Sequence, residues 1–439
     1  MKFANNVLAA TVLVAASVIA VEANGVTIDV TKFQQRYPWN GLVDIDYMIV
    51  RDQGESALDP AKHNVRISVV NCGVTPAATN IAHVFRQGAL PVSDGAHRVT
   101  WDANAEGINF KAQNVKVFAE VVHYAEKYMV IDVSGGPNTN CYPVTYLHGA
   151  PEGGFNRDED KDEYKGNKIV LRLIPPGSFV MGSPTTEPGR SKTADREVQH
   201  AVAITKPFYI GVFEITQKQY LNVMGGTNPS QYTGDYRPVE MVKYDDIRGT
   251  ANTGTHQYDW PWTNEVDATS FMGKLRAKCK ECDGAGYTKD VAGLLDLPTD
   301  AQLEYACRAG TTTPFNNGEP CTTDGDLDKQ LKKLGAYKSN MNKHVEVGTY
   351  ASNAWGLYDM HGNVWELCLD WYQADVQNIE NPSLDPVGPS AGAVANPLRV
   401  RRGGGWDETS VYCRSAYRNA SVPSKGLNDA GFRLSMTLP

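Results

Sequence analysis

The sequence predicts a multidomain chain, an all-β sandwich followed by an irregular α+β domain, and three observations lead there. At 439 residues the chain exceeds what one ordinary hydrophobic core serves. Short, alternating strands succeed one another to about residue 145 with no helical period between them. After residue 168 a few capped helices stand between long irregular segments.

The first element, residues 1–23, reads as a secretory signal peptide. An early Lys2 precedes an apolar stretch from Val7 to Val21, and Val21-Glu22-Ala23 offers a small-residue exit. A membrane anchor is the competing reading, but the stretch is shorter than the roughly 20 residues a bilayer requires, and no later segment could span a membrane. The expected location is therefore secreted or periplasmic.

Residues 24–145 form the expected β-sandwich, Ig-like in its run of short strands. In LVDIDYMIV, Val43, Ile45, Tyr47 and Ile49 alternate with Asp44, Asp46 and Met48, the period of a strand with one buried face. Further runs at 65–70, 97–101, 115–122 and 128–133 continue the pattern. Cys72 and Cys141 are the only cysteines of this region, and an oxidising compartment favours pairing them. Residues 146–167 contain the charged run RDEDKDEYK, which reads as a solvated linker.

From 168 to 439 the chain is mixed. IVLRLIPPGSFVMGS predicts two strands hinged at Pro175-Pro176-Gly177. Thr216…Gln219 and Thr299…Gln302 each place a hydroxyl and a carboxamide three residues apart, the spacing at which they satisfy each other's exposed backbone donors at a helix start. The second helix should run through Leu303, Tyr305 and Cys307 to Gly310.

Net charge is −8 and no run of Lys or Arg exceeds two, so nucleic acid is not an expected partner. Cys279-Lys-Glu-Cys282 is half of a zinc site without a second half. Gly388-Pro-Ser-Ala-Gly392 fits the G-x-S-x-G spacing of a serine hydrolase but lies in a loop of small residues, with no strand before it and no helix after it.

The segments PPGSFVMGS, FYIGVFEITQKQY, RPVEMVKYDD, LPTDAQLEYACRAGTTTPF, NAWGLYDMHGNVWELCLDW, DPVGPSAG, RVRRGGGWDETSVYCRSAYRN and GFRLS, in this order, resemble the formylglycine-generating enzyme, or sulfatase-modifying factor, family. The resemblance spans 168–439 and implies a C-type-lectin-like fold with bound calcium. It places calcium ligands at Asp359, Glu366 and Glu214 and at the carbonyls of Gly362 and Val364, an all-oxygen set suited to a hard cation. Read without the family, Asp359 could equally cap a turn and Glu366 pair with an arginine.

Members of the family oxidise a sulfatase cysteine with copper held by two thiolates. Here the corresponding positions fall at Glu408 and Ser410, and the terminal GFRLS lacks the family's last cysteine. The resemblance thus implies a divergent member for which copper is not expected and no catalytic residue is assigned. It also implies a Cys307–Cys413 disulfide, and a ligand cleft lined by Trp406, Asp407, Ser410 and Arg414 for a peptide, protein or glycan. An active formylglycine-generating oxidase and a structural cell-envelope or secretion component stay open as alternatives.

Overall fold

The computed structural model describes residues 26–35, 42–52, 57–58, 63–74, 81–84, 90–102, 108–110, 116–123, 127–190, 196–250, 265–282, 288–290, 294–321, 328–374, 383–389 and 397–438. The expected signal segment lies outside them. The chain divides into two compact units, residues 1–125 and 126–439.

Every described element of the first unit is a strand: β1 (Val26–Gln35), β2 (Leu42–Arg51), β3 (His63–Val74), β4 (Ile81–Val84), β5 (Gly95–Asp102), β6 (Ile108–Phe110) and β7 (Lys116–His123). β2 lies between β1 and β5 in one antiparallel sheet, and β3 pairs with β4, β6 and β7 in another. The alternation read in the sequence is the alternation found: Val43, Ile45, Tyr47 and Ile49 are buried, and Asp44, Asp46 and Met48 face outward. Val65, Ile67, Trp101 and Val117 belong to the same apolar cluster.

The second unit starts earlier than the charge pattern suggests. β8 (Tyr128–Asp132), expected in the N-terminal region, lies instead against β10 (Lys168–Ile174) in an eight-stranded sheet of the second unit, which also takes in β9 (Tyr142–Leu147), a strand the sequence reading did not single out. Tyr128, Met129, Val130 and Ile131 are all buried. A strand apolar on both faces must be covered on both, and on one of them Tyr128 and Val130 pack with Phe155, Val170 and Val212. Nor is the charged run a linker. Asp162–Asn167 makes a wide helical turn whose Lys165 carbonyl accepts the Thr216 hydroxyl at 2.6 Å. Lys161, Lys168 and Lys218 bind Glu346, Glu163 and Asp162, so these charges anchor the turn to the fold.

The chain then forms β11 (Gly177–Met181), β12 (His200–Ile204), β13 (Phe208–Gly211), α1 (Gln217–Met224), α2 (Tyr244–Arg248), α3 (Phe271–Lys278), β14 (Cys279–Cys282), β15 (Thr288–Asp290), β16 (Leu294–Asp296) and α4 (Asp300–Arg308). β17 (Trp365–Trp371), β18 (Ser383–Leu384), β19 (Arg399–Arg402), β20 (Asn419–Ser421), β21 (Ala430–Gly431) and β22 (Ser435–Thr437) follow. The large sheet runs β15-β14-β9-β8-β10-β13-β22-β16, and a smaller one β20-β19-β17-β21. Pro175 and Pro176 separate β10 from β11, as expected. Both predicted capping boxes are present, Thr216 with Gln219 and Thr299 with Gln302. α4 ends at Arg308, two residues before Gly310, because Ala309 already takes the left-handed conformation.

Candidate functional site

The segment Asp359–Glu366 runs into β17 and is held by close backbone crossings. A Cβ on Gly362, at φ +94°, would lie 2.2 Å from the Ala336 carbonyl, and one on Gly335 would lie 1.6 Å from that of His361. Only glycine lets the two strands of chain approach this closely. Asp359 and Asn363 also take positive φ, 57° and 66°, which their short polar side chains tolerate better than most.

This path brings three carboxylates together. Glu214 accepts the Asn363 carboxamide at 2.6 Å and the Val364 amide at 3.2 Å. Glu366 is gripped at both oxygens by the Arg433 guanidinium, at 2.5 and 2.6 Å, and Arg433 also donates to the carbonyls of Gly211 and Tyr358. Asp359 accepts the Gly348 amide at 2.6 Å through Oδ2, while its buried Oδ1 has no hydrogen-bond partner among the described residues. Burial, then the charges of Asp359 and Glu366, hold Glu214 well above the usual carboxylate range. Burial lifts Asp359 to about 6, against the pull of the Gly348 amide, Arg433 and Lys165. Burial raises Glu366 too, with Arg433 opposing. Lys165 lies 5.5 Å over the Phe213 ring. The predicted ligands Glu214, Asp359 and Glu366 are thus neighbours, set beside Gly362 and Val364 by the same turn. Sequence reasoning missed Asn363 and Arg433, although both stand inside the motifs it singled out.

The expected Cys307–Cys413 bridge is not formed, and the two sulfurs turn to different partners around His361. The His361 Nδ1–H donates to the Cys413 carbonyl at 2.7 Å and its Nε2 accepts the Asn316 amide at 3.1 Å, which fixes a neutral imidazole. Burial lowers its pKa to about 4. The ring also meets Cys307, whose sulfur lies 3.7 Å from Nε2 and 3.6 Å from the Ser415 hydroxyl. Cys413 turns its own sulfur toward the Thr409 carbonyl, 3.8 Å away. The Cys72 side chain lies outside the described residues, and with it the expected Cys72–Cys141 pairing.

The expected ligand cleft is only partly exposed. Asp407 faces solvent and Trp406 is half-buried, its indole donating to the Asn428 carbonyl and meeting Tyr232 edge-on at 5.4 Å. Ser410 and Arg414, expected on the same wall, are buried instead. The Arg414 guanidinium is committed to Glu187 at 2.5 Å, to both oxygens of Glu197 at 2.9 Å and to the Gly189 carbonyl. An arginine so engaged is a structural hub with no donor left for a ligand. Beside Asp407 the structure adds Glu408 and Asp429, their carboxylate oxygens within 4.8 Å of one another. Arg401 offsets the cluster at Asp429, 3.3 Å away, and the Trp365 indole donates to Glu408.

A family model described as "Sulfatase-modifying factor enzyme 1-like domain" matches residues 158–438. "Chaperone protein LppX" of Paenibacillus barcinonensis is 30% identical over 269 residues, covering 55% of this chain and 86% of that protein. "Formylglycine-generating enzyme" of Streptomyces coelicolor is 32% identical over 282 residues, 59% of this chain and 87% of that one. "Serine/threonine-protein kinase pkn1" of Chlamydia caviae is 26% identical over 280 residues, and the match spans 40% of its length.

Proposed function

Because the chain belongs to the sulfatase-modifying factor enzyme 1-like family, we propose that it is an exported, calcium-stabilised member used for recognition, with no copper-dependent oxidation. The observation that carries this reading is the chemistry at Glu408 and Ser410. Copper(I) takes soft thiolate ligands. Here a carboxylate bonded to an indole and a buried hydroxyl stand at those positions. The single cysteine between residues 399 and 439 is Cys413, which is buried.

Calcium suits the residues at the turn. Three buried carboxylates face one guanidinium, and the unpartnered Asp359 Oδ1 would gain a hard cation as its partner. Asp359 and Glu214, with the carbonyls of Gly362 and Val364, would hold it. Glu366 would share its charge with Arg433. Such an ion supplies structural cross-linking of the loops by charge neutralisation. We place the ligand, a peptide, protein or glycan, on the surface around Trp406 and Asp407, and read the domain as C-type-lectin-like and the first unit as a β-sandwich.

Two measurements test this. Protein loaded with copper(I) and given a Cys-x-Pro-x-Arg peptide should consume no oxygen beyond the copper blank, and uptake above it would refute the recognition reading. Calcium should raise the melting temperature of the chelator-treated protein and leave that of Asp359→Ala unmoved. An equal response in both would remove the ion from this site.

A further inference from the structure

We propose that Cys141 and Cys279 are a disulfide-forming pair that fastens β9 to β14 covalently. The two strands run parallel, with Cys279 opposite Tyr142, so Cys141 is one residue diagonal from Cys279 across the ladder. With neighbouring strands about 4.8 Å apart and a rise of about 3.3 Å per residue, that diagonal places the Cα atoms about 5.8 Å apart, inside the roughly 4.4–6.8 Å of ordinary disulfides. Cys141 stands just ahead of the first ladder residue, in a bend closed by the Thr139 hydroxyl donating to its carbonyl. Its side chain is therefore not held by the ladder to the face opposite Tyr142. Burial first, and then the neighbouring Cys141, push the Cys279 thiol up, so the two sulfurs stand within electrostatic reach.

β14 reaches the sheet immediately after α3 and is followed only by the short β15 at the sheet's end. A covalent tie to β9, the third strand of the sheet, would reinforce the join to this outer part, where the parallel pairing of β14 with β9 runs from Cys279 to Glu281. The unequal exposure of the two thiols sets the order of the chemistry. Cys141, half-buried, is the first to be reached by an oxidant, whereas Cys279 is 1% exposed. With a small disulfide such as oxidised glutathione, the Cys141 thiolate attacks one sulfur and releases one glutathione thiol, leaving a mixed disulfide. The Cys279 thiolate then attacks the Cys141 sulfur and releases the second. Two protein thiols become one disulfide and one glutathione disulfide becomes two thiols, so protons and electrons balance.

The test is peptide mapping of the full chain after incubation with oxidised glutathione, alkylation under denaturing conditions and peptic digestion without reduction. Wild type and Cys282→Ser should yield a linked pair of peptides containing Cys141 and Cys279 that separates on adding dithiothreitol. Cys141→Ser, a substitution at a half-buried position that leaves the core intact, should lose the pair completely. Linkage of Cys141 to Cys72 or to Cys282, or recovery of Cys141 and Cys279 in unlinked peptides, would overturn the assignment.

Discussion

Replacing Arg433 by methionine isolates the charge balance beneath the candidate site. The guanidinium is fully buried and makes four hydrogen bonds, two to Glu366 and one each to the carbonyls of Gly211 and Tyr358. Methionine keeps much of the volume and removes all four donors. Glu366 is then a buried carboxylate without a counter-charge, near Asp359 and Glu214, a change that costs about 3–5 kcal/mol. At about 2 °C per kcal/mol for a unit of this size, the melting temperature should fall by roughly 6–10 °C. The double variant Glu366→Gln/Arg433→Met removes the Glu366 charge together with its guanidinium, leaves Asp359 and Glu214 to lose only the longer-range pull of Arg433, and should recover about 1.5–3 kcal/mol relative to the sum of the single costs. Urea unfolding followed by tryptophan fluorescence measures all three variants. A loss below about 1 kcal/mol for Arg433→Met, or strict additivity in the double variant, would refute the argument that the pair balances a buried charge.

Other consequences follow from single residues. Burial and the nearby Asp300 lift Asp370 to about 8. A folded-state pKa above the unfolded one means that its contribution to stability is full below about pH 4 and is lost as pH rises through about 8. Asp370→Asn should therefore flatten a decline of up to about 1.4 kcal/mol per pH unit, and parallel wild-type and variant curves in urea between pH 5 and 9 would contradict this. Gly362→Ala meets both a positive φ and the Ala336 carbonyl. It should cost at least about 3 kcal/mol, read as loss of folded protein on gel filtration. Thr299→Ala removes the hydroxyl that accepts the Gln302 amide at 3.1 Å and should cost about 1 kcal/mol in the same unfolding assay.

Much of this molecule was legible because the relevant information is local. The alternation of β2, the proline hinge before β11 and the two capping boxes each rest on neighbours within a few residues, and each is found where expected. The turn carrying Asp359 and Glu366 was legible as a motif. What escaped depends on partners far along the chain. Arg414 reads as a surface arginine until Glu187 and Glu197, more than 200 residues earlier, enclose it. The resemblance pairs Cys307 with Cys413, yet the Cys307 sulfur lies against His361 and the Cys413 sulfur turns to the Thr409 carbonyl. The charged run at 157–165 reads as a linker until its partners Glu346 and Lys218 are in place. β8 carries a strand signal that does not say which sheet it joins, and the division at residue 125 follows from tertiary pairing alone.

The central proposal is that this chain, with Glu408 and Ser410 where the family resemblance places the copper ligands, recognises molecules and does not oxidise them. It is tested most directly by mass spectrometry of a Cys-x-Pro-x-Arg peptide after aerobic incubation with the copper(I)-treated full-length protein. The account predicts that the peptide cysteine is recovered unchanged, and enzyme-dependent conversion of that cysteine to formylglycine would contradict it.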